Sequence, residues 1–231
     1  MMTGTWFHRT IAFVGPVLLV VGLAACGNRP GQSGDTQTGD DVIIPQEKIV
    51  LWNGKDFSNW VFQLKDPQVD PGQVWSIQDG AIHCAGNPYG YMRTTKSYAN
   101  YALHVEWRWP EGPGNSGVFV HMQEPDKVWP TLLECQLQSG HAGDFVAFTG
   151  IAFNELEGPD ARVVAKKADS SERPAGEWNA YDIQCQENTV KVFVNGVFQN
   201  EATGLNYSSG KICLQSEGKP VEFRNVYVEP L

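Results

Sequence analysis

The stretch Leu132-Leu133-Glu134-Cys135-Gln136-Leu137-Gln138-Ser139-Gly140 (LLECQLQSG) reads as a β-strand closed by a turn. Side chains alternate across a pleated strand, so Leu133, Cys135 and Leu137 share one face while Glu134, Gln136 and Gln138 share the other. The same period of two recurs along the chain. In LHVEWRW, Leu103, Val105, Trp107 and Trp109 oppose His104, Glu106 and Arg108. In VFVHMQ, Val118, Val120 and Met122 oppose Phe119, His121 and Gln123, and in ICLQSEG, Ile212 and Leu214 oppose Cys213, Gln215 and Glu217. No run of eleven or more residues has the 3.6-residue period of a helix, and Asn195-Gly196 between two apolar runs is a strong hairpin signal. Many short antiparallel strands in one domain predict a sandwich, a jelly roll or a barrel. The segment 141–177 departs from this pattern: it is long and polar, with FVAFTGIAF as its one apolar island, and connections of that length are usually functional or disordered.

Four strands thus carry polar rows built from Glu, Gln, His and Arg. Antiparallel sheets often leave one face to water, which explains any single row. Solvated rows usually favour Thr, Lys and Ser, however, and these rows have no central lysine and almost no β-branched residue. Mixed donors and acceptors match a polyhydroxylated ligand, whose hydroxyls both give and take hydrogen bonds. Together the rows predict a concave sugar-binding sheet.

The N-terminus fixes the expected compartment. Residues 1–25 hold a short region with His8 and Arg9, an apolar run from Ile11, and small residues before Cys26, the layout of an export signal. Leu23-Ala24-Ala25-Cys26 resembles the lipobox of bacterial lipoproteins, which implies cleavage before Cys26, its lipidation and attachment to a membrane through that anchor alone. Gly27 at the next position favours, within that resemblance, the outer membrane facing the periplasm. Residues 26–45 read as the lipidated cysteine and a flexible Gly/Asp/Thr/Gln tether, which leaves 46–231 for a single domain. The net charge of −9 and the absence of a basic patch argue against a nucleic-acid partner. Cys84, Cys135, Cys185 and Cys213 lack metal-type CxxC spacing. The first three read as small buried hydrophobes; a single disulfide is the alternative in an oxidising compartment.

Several landmarks fall in a recognisable order: IVLWNGKDFSNW, GPGNSGVFVH, LECQLQ, FTGIAF, RPAGEWNAYDI, VNG, ICLQSEG and VEFRNVYVEP. From about Ile49 to Leu231 the chain resembles the 3-keto-disaccharide hydrolase family, also called 3-keto-glucoside lyase and hydratase. The resemblance implies an all-β, concanavalin A-like jelly-roll sandwich of two curved antiparallel sheets. It also implies action on a 3-keto sugar or oligosaccharide. A ketone at C3 acidifies the C2 hydrogen, so a base removes it, the C1 aglycone leaves, and the resulting glycal takes up water. That chemistry needs one proton-abstracting group and a stabiliser for the enolate oxygen. A glucanase of the same fold instead needs two carboxylates flanking the bond, ~5 Å apart for retention or ~6.5–9.5 Å for inversion. Such enzymes carry E-x-D-x-E on one strand, and here the run is Glu134-Cys135-Gln136-Leu137-Gln138, which suits elimination better.

Within this chemistry Glu134 and His121 are the candidate bases, Arg108 and Arg93 the candidate enolate holders, and Glu106 and Glu217 the candidate acids for the departing group. Gln136 and Gln215 are expected to fix sugar hydroxyls, Asn115 to reach the cleft rim and Trp129 to offer a stacking platform. No cofactor is required by the sequence. A divalent metal stays open, since His104, Glu106, His121 and Glu134 are suitable ligand types if they converge, though no HExxH-like motif is present. The rival readings are a non-catalytic, lectin-like carbohydrate-binding module and a structural domain whose polar face is merely solvated.

Overall fold

The structure is a computed structural model, and it describes residues 42–158 and 160–231. The signal segment and Cys26 lie outside the described residues. The described chain is all β apart from a one-turn 3-10 helix at Pro71–Gln73, and it forms two sheets. The first runs in the order Val42–Ile43, Ser97–Ala99, Ser209–Ser216, Gly117–Met122, Leu133–Gln136, Phe145–Ala147 and Val163–Val164. Gly90–Thr94 also pairs with Ser209–Ser216 and carries Trp60–Leu64 on its far side. The second sheet runs Val197–Ala202, Thr189–Val194, Asn179–Gln186, Tyr101–Arg108, Val221–Glu229, Ala81–Cys84 and Trp75–Gln78, with Ile49–Val50 added to Val221–Glu229. The pairings are antiparallel except that of Val42–Ile43 with Ser97–Ala99, which brings two residues expected in the tether into the sheet.

The predicted jelly-roll sandwich is therefore the fold. Its core is made by the apolar rows: Leu103, Val105 and Trp107 of one sheet meet Val118, Val120, Leu133, Cys135, Ile212 and Leu214 of the other. Trp107 is wholly buried, and truncating such a side chain to alanine costs about 3–5 kcal/mol. Because these rows face inward, the polar rows must face outward. The sandwich has two outer faces, however, and the polar rows divide between them. Glu134, Phe119, Cys213 and Gln215 belong to the first sheet, whereas His104, Glu106 and Arg108 belong to the second.

One row is also broken by a bulge. His121 has φ 53°, and the pairing of Gly117–Met122 with Ser209–Ser216 shifts register at this point. The extra residue turns Met122, expected beside Val118 and Val120, to the outer face, where it packs with Tyr91, Phe119, Leu132 and Cys213. Gly210 makes room for the bulge: a Cβ there would lie 2.5 Å from the His121 carbonyl carbon and 2.6 Å from the Met122 oxygen.

Candidate active site

The outer face of the first sheet is organised around Gly117. Its strand pairs Gly117 with Gln136 on one side. On the other, the register that matches Val118 to Leu214 continues to an isolated bridge between Asn115 and Glu217, which sets Gln215 beside Gly117. Gln215 is in turn paired with Tyr91. Glu134 sits one row along, opposite Phe119, but its side chain leans back over the glycine. Glu134, Gln136, Gln215, Glu217 and Asn115 thus meet around one position without a side chain.

This cluster is buried yet unsatisfied. Glu134 is 3 % exposed and Gln215 1 %, and neither Glu134 Oε1, Gln215 Oε1 nor Asn115 Oδ1 has a hydrogen-bond partner. Buried polar atoms are almost always paired, so a concentration of orphans marks a place that a ligand or solvent completes. Burial pushes the Glu134 carboxyl well above the usual range, and the charge of nearby Glu217 adds to the shift. Glu217, only half-buried, is also raised by desolvation, but the Gln215 amide beside it works the other way. Burial thus favours the protonated form of Glu134 more than that of Glu217, which is the member that ionises more readily. Gln136 is held in place because its Oε1 accepts from the backbone N–H groups of Leu137 and Gln138, which leaves its amide NH2 to a ligand.

A groove of about 650 Å³ continues from Gln136 along the same face. Its floor includes Val146, and its walls come from Gly140–Asp144 and from Ala165–Ser170, so the long polar segment forms a built surface. His141 Nδ1 lies 3.0 Å from Asp144 Oδ2, and Asp144 Oδ1 accepts from the Lys166 backbone N–H, tying the two walls together.

At the other end of the face, Arg93 is a loop anchor. Its Nε and Nη2 donate to the two oxygens of Asp126, both at 2.7 Å, Nη2 lies 3.2 Å from Glu124, and Nη1 donates to the Thr94 carbonyl. The Tyr91 hydroxyl donates to Asp126 and to the Lys127 carbonyl. These contacts hold the loop 123–131 over the sheet and seat Trp129 against Phe148 and Tyr89, at ring separations of 5.6 and 6.5 Å. Trp129 keeps 38 % of its surface open, as a platform requires.

Other expected members fall elsewhere. His121 is wholly buried at the bulge, and burial lowers its pKa to about 4 against the opposing effect of the nearby Tyr207 backbone. Glu134 leans toward Gly117 and away from the bulge, so the expected Glu134–His121 pair is not formed. Arg108 and Glu106 lie on the outer face of the second sheet, across the core from Glu134. Arg108 Nε donates to Glu222 at 2.5 Å, and Glu106 accepts from Arg224 at 2.6 Å and from Asn225 at 2.8 Å. His104, Glu106, His121 and Glu134 do not converge on a metal, because the first two belong to that second sheet. Residues that alternation alone did not reveal are Gly117, Tyr91, Asp126 and the groove walls, since their partners lie tens of residues away in sequence. All four cysteines within the described residues are free and buried.

The sandwich is shared with proteins that handle carbohydrate. A Parabacteroides distasonis protein described as a glycosyl hydrolase superposes with a TM-score of 0.60 at 22% identity, covering 80% of this chain and 94% of its own. A Bacillus licheniformis β-glucanase gives 0.55 at 14%, covering 84% and 100%. A carbohydrate-binding module of Bacillus subtilis gives 0.53 at 10%, covering 74% and 95%. At these identities the likeness is one of fold. No curated protein sequence matches the chain. The family comparison is the more specific: a model described as 3-keto-alpha-glucoside-1,2-lyase-like domain matches residues 47–229, nearly all of the described chain. With that match over most of its length, the chain belongs to the 3-keto-alpha-glucoside-1,2-lyase-like domain family, a carbohydrate-active group.

Proposed function

We propose that the Gly117 cluster eliminates the aglycone from 3-keto-glycosides and rehydrates the product. The observation that carries this reading is a pair of carboxyl groups of unequal burial flanking a glycine, with unpartnered amide oxygens beside them. The keto ring sits at the edge of the Gly117 cluster, against Glu217 and the Glu134 carboxyl, and the remainder of the glycoside runs into the groove that begins at Gln136. Glu217, the readier to ionise, takes the C2 proton. The C–H electrons form the C2=C3 enolate, and neutral Glu134 donates a hydrogen bond to its oxygen, as a desolvated carboxylic acid can at pH 7. The C1–O bond then breaks, giving the C1=C2 double bond, and the protonated Glu217 is placed to return its proton to the departing oxygen. Water adds at C1 with a proton returned to C2, so the net change is hydrolysis.

These roles move the base from Glu134, a candidate on the sequence, to Glu217, which keeps its expected part as acid for the departing group. The reason is desolvation: a charge on the more deeply buried group costs more. Gln215, Gln136 and Asn115 orient hydroxyls, and Trp129 stacks on a ring beyond the anchor loop. Every step uses side chains of the chain itself. The export signal and Cys26 support a lipid-anchored protein of the cell envelope, facing the periplasm from the outer membrane.

The test is to incubate the purified domain separately with a 3-keto-disaccharide and with the unmodified disaccharide, following glycal absorbance and sugar release. Action on the keto sugar alone is expected, and Glu134→Gln and Glu217→Gln should each lower kcat about 10²–10⁴-fold. Turnover of the unmodified sugar would restore a glucanase. Binding without turnover of either would make the domain a lectin-like module.

A further inference from the structure

The second sheet bears its own pocket, on the outer face opposite the Gly117 cluster. It has a volume of about 470 Å³, within the range of ligand sites. Its floor is Arg108, Glu222 and Arg224, and its walls rise from two turns, Trp52–Gly54 and Gln78–Ala81. The walls are fastened together, since Trp52 Nε1 donates to the Gly80 carbonyl at 2.9 Å. A bulge aims the floor: Asn225 has φ 51° where Val221–Glu229 shifts register against Tyr101–Arg108, and its amide is pinned to Glu106.

Two guanidinium groups meet one aromatic ring here. The Arg108 and Arg224 carbons lie 4.7 and 4.1 Å from the centre of the Trp178 ring. Each arginine spends its Nε on a carboxylate, Glu222 or Glu106, and the terminal nitrogens of both make no hydrogen bond to protein among the described residues. Stacking on the indole fixes these planar forks, so little freedom is lost when they donate to a ligand. Acceptors line the same pocket: Asp79 and the Gln78 amide on the wall and the Glu222 carboxylate on the floor.

Charge selects the ligand. Arg108 and Arg224 are met by Glu106, Glu222 and Asp79, so a phosphate or a uronate gains no net attraction. What remains is a set of rigid donors alternating with acceptors beside an indole, and a pyranose offers vicinal hydroxyls and an apolar face to match. We propose that this pocket is a second, non-catalytic binding site for a neutral oligosaccharide, independent of the site around Gly117. It would keep the protein on a glycan while the opposite face acts on soluble substrate.

Affinity electrophoresis through gels containing hydroxyethylcellulose, soluble starch or laminarin tests this with the whole domain. Wild-type protein should be retarded by at least one of these. Trp178→Ala and Gln78→Ala should each weaken the retardation at least fivefold, with unchanged circular dichroism and unchanged turnover of a soluble 3-keto-disaccharide. Glu134→Gln should be retarded like wild type even as its turnover falls. Gln78 is an exposed strand-end residue, so its replacement reads binding even if Trp178→Ala proves unstable. Absence of retardation in every gel, unchanged retardation in Gln78→Ala, or loss of retardation in Glu134→Gln would overturn the proposal. Failure of the keto-sugar chemistry would leave this binding result untouched.

Discussion

Glu134 rests against the α-carbon of Gly117 on the neighbouring strand: a Cβ added there would lie 2.8 Å from the glutamate Cγ, 2.9 Å from Cδ and nearer still to Oε1. The atoms that a new side chain would meet are the outer part of the Glu134 side chain, so the glutamate rather than the backbone has to move to admit one. Gly117→Ala should therefore displace the carboxyl, and a misplacement of about 1 Å at a reacting group costs on the order of 10²-fold in rate. The expected result is a folded variant with kcat reduced by about that factor on 3-keto-disaccharide. Activity within twofold of wild type would show that the position of Glu134 does not matter to the chemistry.

Stability should report the two buried titratable groups from opposite sides of neutrality. The Glu134 carboxyl titrates higher in the folded chain than its unfolded value of about 4.3, so the native state holds the extra proton. Its contribution is complete at low pH and is lost as pH climbs from that value through the folded one. Glu134→Gln should thus raise the melting temperature at pH 8 relative to wild type, with the difference shrinking toward pH 4. His121 acts in the other direction. Its folded value of about 4 lies below the unfolded value near 6.5, so falling pH costs stability across that window, on the order of 3 kcal/mol by pH 4. His121→Gln should flatten the acid limb of the melting profile. Parallel profiles for wild type and both variants would contradict the burial of these groups.

What the sequence disclosed, and what it hid, follows from the range of each interaction. Strand alternation is local, and it correctly separated Leu133 from Glu134 and Ile212 from Cys213. It says nothing of which sheet a strand joins, so His104, Glu106 and Arg108 looked like companions of Glu134 while lying across the core from it. Nor does it register a bulge: one residue in the left-handed region at position 121 reversed the side to which Met122 points. Arg93 reads on the sequence as a candidate holder of the enolate oxygen because its partner, Asp126, is 33 residues away in a loop. The roles proposed for Glu134 and Glu217 rest on their relative burial, which no spacing encodes.

The thiols give a prediction about the core. Cys84, Cys135, Cys185 and Cys213 are all buried and unbridged, and burial pushes Cys84 up to about 11 and Cys185 to about 12. Thiolate is the reactive form, so the native domain should resist labelling by a disulfide reagent at pH 8, and all four should react together once urea unfolds it. Rapid labelling of one cysteine in the native state would mean that the sandwich opens locally at that strand.

The anchor loop should influence binding more than chemistry. Asp126 neutralises Arg93, which is 8 % exposed, and the guanidinium holds the Asp126 carboxyl below the ordinary carboxylate range. Asp126→Asn keeps the shape of the side chain but leaves Arg93 facing a neutral amide, with Glu124 at 3.2 Å as its remaining carboxylate. Asp126 is itself partly solvated, so the cost should be ~1–3 kcal/mol rather than that of a fully buried broken pair. The loop carries Trp129 and, among the described residues, is held by Arg93 and Tyr91 rather than by Glu134 or Glu217, so the variant should raise KM about tenfold with kcat within twofold of wild type. Trp129→Ala should give the same pattern without the loss of stability, since that ring is partly exposed, and the double variant should be no worse in KM than either alone. Additive effects on KM would mean that Arg93 or Asp126 meets the sugar directly, and a fall in kcat would place the loop within reach of the reacting carbons.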